Sequence, residues 1–114
     1  MAPQIFKAVD GFIDGLFAPE DAVLAGLHAP ALAAGLPKIE VSAGQGKLLY
    51  LLARITGARR ILEIGTLGGY STIWLARALP AQGESVTLEL DADHAAFARQ
   101  SFDGAGLSEK VRVL

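Results

Sequence analysis

The chain has 114 residues, 52% of them hydrophobic, with a mean hydropathy of +0.39 and a formal net charge of −2 from 10 basic and 12 acidic residues. That length suits one small domain, and the apolar excess is high for a free-standing unit of this size. The lack of cysteine excludes a disulfide scaffold or thiolate metal site, dispersed charge argues against a nucleic-acid partner, and no apolar run reaches the ~20 residues that span a bilayer.

Ile5, Phe6, Val9, Phe12, Ile13, Leu16 and Phe17 recur at helical spacing, and Pro3 suits a first turn. This amphipathic start does not have the basic-then-apolar order of a secretory signal, so the cytoplasm is the expected compartment. Ala18-Pro19 ends the helix. An alanine-rich helix follows, with a kink or break expected at Pro30 and a stop at Gly35-Leu36-Pro37. The first stripe needs burying, in the core or at a subunit interface. Lys38-Ile39-Glu40-Val41-Ser42 is expected to form a lid. Ser42 then caps a helix running to about Thr56, with Gly57 at its end. Residues 1–42 are thus read as helices and lid, and 43–114 as the start of an α/β unit. His28 and His94 stand at no motif spacing from an acid or nucleophile, and surface or helix-face roles are expected.

The next segment carries the chemistry. Arg60-Ile61-Leu62-Glu63-Ile64 reads as a buried parallel strand closed by a turn at Gly65. Gly68 and Gly69 let the backbone approach a ligand with no Cβ in the way. Tyr70, Ser71 and Thr72 open a helix, expected to reach Leu79, whose first N–H groups suit a carboxylate or phosphate. The spacing Gly65-x-x-Gly68-Gly69 is not the G-x-G-x-x-G of a dinucleotide site. Glu63, at the strand's carboxyl end, also opposes a pyrophosphate. Two like charges about 4 Å apart repel by roughly 4 kcal/mol at an effective dielectric near 20. A ligand with an ammonium group turns that repulsion into attraction. S-adenosylmethionine carries an ammonium, a carboxylate, a sulfonium and a ribose, and no phosphate. Glu63 is therefore expected to accept from the ammonium, while Ser71 and the helix start take the carboxylate. The competing reading makes Glu63 a cap for backbone N–H groups. No G-x-S-x-G elbow surrounds Ser71, which argues against a hydrolase nucleophile.

Ser85-Val86-Thr87-Leu88-Glu89-Leu90 reads as a second strand ending in an acid. In a βαβ unit that acid reaches ribose hydroxyls, and Leu90 beside it suits an adenine face. Asp91 and Asp93 belong to the start of a helix expected over about Ala92–Asp103. Gly104-Ala105-Gly106-Leu107 then leads to a third strand, Val111-Arg112-Val113-Leu114. This order predicts a three-strand parallel sheet, the N-terminal part of a Rossmann-like doubly wound α/β fold. In such a sheet the first strand is central, so its outer edge is expected to lie open, as in a truncated product rather than a self-sufficient monomer.

GTLGGYST after RRILEI, followed by VTLELD and AGLSEKV, resembles the class I S-adenosylmethionine-dependent O-methyltransferases. The similarity is to the branch holding catechol and caffeoyl-CoA O-methyltransferases, and the lead-in VSAGQGKLLYLLARITGARR resembles that branch too. By matching motif positions it implies cofactor contacts from Val41, Glu63, Gly65, Thr66, Leu67, Gly69, Tyr70, Ser71, Glu89 and Leu90. It also implies a dimer formed partly by the N-terminal helices. The divalent-metal ligands and acceptor-side lysine of complete members fall beyond Leu114, so no catalytic or metal residue is expected in this stretch.

The expected function is methyl transfer from S-adenosylmethionine to a hydroxyl of a small phenolic or catechol-like acceptor, with this chain as the cofactor-binding half and inactive alone. Two alternatives stay open. One is an NAD-binding half-domain of a dehydrogenase; the other is a non-catalytic binding or dimerisation module.

Overall fold

The computed structural model describes residues 3–114. Helix α1 (Gln4–Phe17) is followed by two short helices, α2 (Ala22–Ala25) and α3 (His28–Ala33), and by α4 (Ala43–Ile55). The sheet region then runs β1 (Arg60–Ile64), α5 (Tyr70–Arg77), β2 (Glu84–Leu88), α6 (Ala92–Gly104) and β3 (Val111–Val113). The three strands are parallel in the order β1-β2-β3. This is the expected Rossmann-like half-sheet, with β1 at an open edge.

Register decides which face is buried. Ile61 pairs with Ser85 and Ser85 with Val111, while Glu63 pairs with Thr87 and Thr87 with Val113. Those six side chains point to one face, because strand neighbours in register share a side. Helices α5 and α6 cover that face with Ile73, Trp74, Ala95, Ala98 and Phe102, which form one core cluster with Val111 and Val113. Ile73 and Phe102 are almost fully enclosed, each worth about 1.5–3 kcal/mol of apolar burial. The opposite face, with Leu62 66% and Ile64 82% exposed, is bare among the described residues.

Local signals place most of the boundaries. Ser42 caps α4 through a reciprocal pair, its hydroxyl accepting the Gln45 N–H while the Gln45 side chain accepts the Ser42 N–H. Asp14 of α1 adds a long-range cap, accepting the Gly44 N–H at 2.8 Å. Gly57 adopts a left-handed φ of 64° just past α4. Asp91 caps α6 by accepting from the Asp93 and His94 N–H groups.

Several expectations change. The break in the alanine-rich segment falls at Gly26-Leu27, with Pro30 inside α3. There it sits in the first turn, where a missing N–H costs no helical bond. Strand β2 ends at Leu88, so Glu89 and Leu90 follow the strand instead of closing it. The core reading of the first stripe does not hold, because α1 contains no buried residue and Phe12 is 71% exposed. Helix α4 adds exposed Leu48, Leu52 and Ile55 to the apolar surface of this region.

Candidate functional site

A cavity of about 350 Å³ opens at the carboxyl ends of β1 and β2. Its walls come from the 37–41 segment (Pro37, Ile39, Glu40 and Val41), the turn Gly65–Gly68, the start of α5 (Tyr70 and Ser71), and Glu89 and His94. Of the ten residues singled out from sequence, Val41, Gly65, Thr66, Leu67, Tyr70, Ser71 and Glu89 meet here. Glu63, Gly69 and Leu90 do not wall it, and Leu90 points fully into solvent.

The turn is built by Glu89. Its Oε2 accepts the Leu67 N–H at 2.7 Å and the Thr66 N–H at 3.2 Å, and its Oε1 accepts the Asp91 N–H at 3.0 Å. The Asp91 N–H, together with those of Leu67 and Thr66, holds the Glu89 carboxyl below the ordinary carboxylate range, against an opposing effect of partial burial. Leu67 takes a left-handed φ of 53°, a conformation non-glycine residues adopt at some cost. Gly65 and Gly69, at φ 91° and 90°, make the two neighbouring left-handed corners.

Glu63 does something else. It accepts the Ser71 hydroxyl at 2.6 Å, the Thr87 hydroxyl at 2.8 Å and the Thr72 hydroxyl in a further short contact. Because Thr87 spends its single proton on Glu63, it must accept at 2.6 Å from Thr66. One carboxylate thus ties β1, β2 and the start of α5 together, using hydroxyl groups rather than the backbone N–H groups of the competing reading. Gly69 closes the same corner: its N–H donates to the Thr66 carbonyl at 3.0 Å and its carbonyl accepts the Ile73 N–H at 2.9 Å. That last bond is the first i→i−4 bond of α5, leaving the N–H groups of Tyr70, Ser71 and Thr72 ahead of it without intrahelical acceptors.

His28 departs from its expected isolation. Its Nε2 lies 2.7 Å from Glu20 Oε2 and its Nδ1 lies 3.3 Å from Glu40 Oε1. The Tyr70 hydroxyl donates to the same Glu20 oxygen at 2.6 Å, and the His28 and Tyr70 ring centroids are 5.2 Å apart. Burial, followed by the Glu20 carboxylate, pushes the Tyr70 hydroxyl above its ordinary range. His94 also departs from a plain helix-face role, since it walls the cavity. Sequence reading missed these contacts because Glu20 and Tyr70 are 50 residues apart and no period links them.

A parallel sheet with an acid-and-glycine turn opening a helix at the strands' carboxyl ends is a Rossmann-like cofactor-binding layer. Residues 16–114 match the O-methyltransferase family, and the chain belongs to it. It is 50% identical to a catechol O-methyltransferase of Niastella koreensis over 113 residues, which is 99% of this chain and 51% of that protein. A Mycobacterium tuberculosis catechol O-methyltransferase is 52% identical over 93% of this chain and 48% of its own length. Among solved structures, a Bacillus cereus O-methyltransferase in complex with SAH superposes with a TM-score of 0.91 at 50% identity, covering 94% of this chain and 49% of that one. A Streptomyces achromogenes O-methyltransferase in complex with SAM gives a TM-score of 0.91 at 45% identity, covering 99% and 51%. The chain spans about half the length of the curated relatives it matches.

Proposed function

We propose that this chain is the S-adenosylmethionine-binding half of an O-methyltransferase that methylates a hydroxyl of a small phenolic or catechol-like acceptor. The observation that carries the reading is the charge of the cavity. Among the described residues its wall holds two carboxylates, Glu40 and Glu89, and no lysine or arginine. Those two carboxylates repel a pyrophosphate, which has only the N–H groups at the start of α5 to hold it, whereas a sulfonium and an ammonium are attracted. The relatives' names and their bound SAM and SAH point the same way.

When bound, S-adenosylmethionine supplies an electrophilic methyl on a positive sulfur. This chain's residues bind and orient it. Glu89 keeps one acceptor site, on Oε1, for a ribose hydroxyl while gripping the turn. The unpaired N–H groups at the start of α5 suit the ligand carboxylate. Val41 and Leu67 give apolar walls. Because Ser71 already donates to Glu63, those N–H groups take over the task the sequence reading gave to its hydroxyl. Among the described residues no three His, Asp or Glu side chains are grouped to hold a metal ion. The exposed stripe of α1 supports a homodimer surface; a cytoplasmic compartment is part of the same proposal.

Calorimetry with S-adenosylmethionine, S-adenosylhomocysteine and NAD tests the reading. Binding of either adenosyl ligand with NAD at least tenfold weaker is expected, and preferential NAD binding overturns it in favour of a dehydrogenase half. Methyl transfer to catechol, assayed on this chain and on one extended to the relatives' full length, separates an enzyme half from a non-catalytic module. Turnover is expected only from the longer chain.

A further inference from the structure

We infer that His28 is a positioning residue: it latches the lid segment Lys38–Ser42 onto Tyr70 at the mouth of the candidate cofactor cavity, gripping Glu40 on one side and Glu20 on the other. Val41 anchors the end of the lid against the core cluster, but the stretch before it has little apolar hold. Ile39 is 74% exposed, and the backbone bonds around it are local, from Ile39 N–H to Pro37 and from Gly46 N–H to Ser42. Among the described residues the long-range polar tie on this segment is Glu40 to His28, from the lid to the first residue of α3. The tie continues, because Glu20 accepts from the Tyr70 hydroxyl and faces His28 through the same oxygen. Four side chains from four segments are thus joined in series, and the Tyr70 ring packs against the His28 ring.

The chemistry of the ring makes it suited to this. In its imidazolium form histidine offers one N–H to each of two carboxylates from two separate nitrogens of a rigid ring; an amide carries both donors on one nitrogen, and a hydroxyl has a single donor. Position matters as much. Glu40, Val41 and Tyr70 line both the candidate cofactor cavity and a second groove of about 800 Å³, which also touches Lys7, Asp14 and Lys38. The latched segment is the partition between the two. Releasing Glu40 lets the partition swing and joins the groove to the cavity.

That the cavity is the cofactor's rests on the function proposed above, but the latch can be tested without ligand. Amide hydrogen exchange on the 114-residue chain would compare the wild type with His28→Ala, Glu40→Ala and the double variant. Exchange at Ile39 and Ser42 is expected to be about five- to tenfold faster in each, as for loss of one partly exposed charge-assisted hydrogen bond. The double variant should be no faster than the single ones, and His28→Gln, which can still donate to one carboxylate, should fall between. Amides of β2 should be unchanged, a contrast that a general loss of stability does not give. Unaltered lid exchange, or equal acceleration in β2, overturns the latch. Adding S-adenosylhomocysteine keeps the two readings apart. A faster lid in the variants, with no ligand protection in the wild type, leaves the latch standing and removes the cofactor. Protection by ligand with an unaltered lid does the reverse.

Discussion

The Glu63 carboxylate accepts the Ser71 hydroxyl at 2.6 Å. Two side chains that sequence reasoning assigns to the ammonium and the carboxylate of a ligand instead hold each other. Together with Thr72 and Thr87 they fix where α5 begins, and therefore where its unpaired N–H groups point.

Removing parts of this cluster should cost stability in a definite order. Ser71→Ala deletes one of three donors and is expected to lower unfolding stability by about 1 kcal/mol. Glu63→Gln replaces an acceptor with a group that is half donor, leaving buried hydroxyls short of a partner, at about 1–3 kcal/mol. Urea unfolding followed by circular dichroism gives both values. If Glu63→Gln weakens S-adenosylhomocysteine while leaving the urea midpoint unmoved, the carboxylate serves the ligand directly and the hydroxyl cluster is secondary.

The two adjacent glycines of the turn should respond differently to alanine. A Cβ on Gly69 would sit 2.6 Å from Phe102 Cε1 on a residue with φ 90°, so it meets both a ring and a disfavoured backbone. Gly69→Ala should cost at least about 2 kcal/mol. A Cβ on Gly68 meets only the ends of Leu36 and Phe97, at 3.3 and 3.4 Å, with no positive φ. Gly68→Ala should cost less than about 1 kcal/mol, although it narrows the cavity. Equal losses in thermal unfolding would show that the corner is not set by Gly69.

Glu89 gives the turn a pH dependence with a fixed sign. Its folded-state pKa lies below the unfolded value, held there by the Asp91 N–H and then by those of Leu67 and Thr66. The stabilisation is therefore fully present above the unfolded carboxylate value, about 4.3, and is lost as pH falls through the lower folded value. Glu89→Gln should flatten the acid limb of the stability profile. It should also weaken S-adenosylhomocysteine by about tenfold at neutral pH, since a charge-assisted acceptor is replaced by a neutral one. An acid limb identical to wild type would place the linkage in another carboxylate.

Much of the fold was legible because its signals are local. The Ser42 capping box, Gly57 past α4 and the apolar runs of β1 and β2 each act within a few residues, and the elements fall close to where those signals put them. The cavity was legible in outline for the same reason, since Gly65 to Ser71 is one continuous segment. What escaped was side-chain choice among near neighbours. Sequence places Glu63 at a strand end beside three hydroxyls, but whether it turns to them or to a ligand depends on χ angles set by packing. The His28 contacts escaped for a different reason: Glu20, Glu40 and Tyr70 meet only after the 20–40 segment folds back against the start of α5.

The bare side of the sheet gives the last prediction. Leu62 and Ile64 project from β1 into solvent, and the outer edge of β1 offers unpaired N–H and C=O groups among the described residues. An open apolar edge of this kind recruits other strands with little selectivity. The α1 stripe, rimmed by charged Lys7, Asp10 and Asp14, is instead a helix face of the sort that pairs once and stops. The two surfaces should therefore leave different signatures in light scattering across a dilution series. Leu62→Lys with Ile64→Glu should remove the polydisperse, concentration-driven material while leaving a dimer. Phe12→Lys should remove the dimer and leave the polydisperse fraction. Neither change touches a buried side chain, so urea midpoints measured on the monomeric fraction should stay within about 0.5 kcal/mol of wild type. If Phe12→Lys leaves the dimer intact, the homodimer surface assigned to α1 is wrong and the association belongs to the sheet.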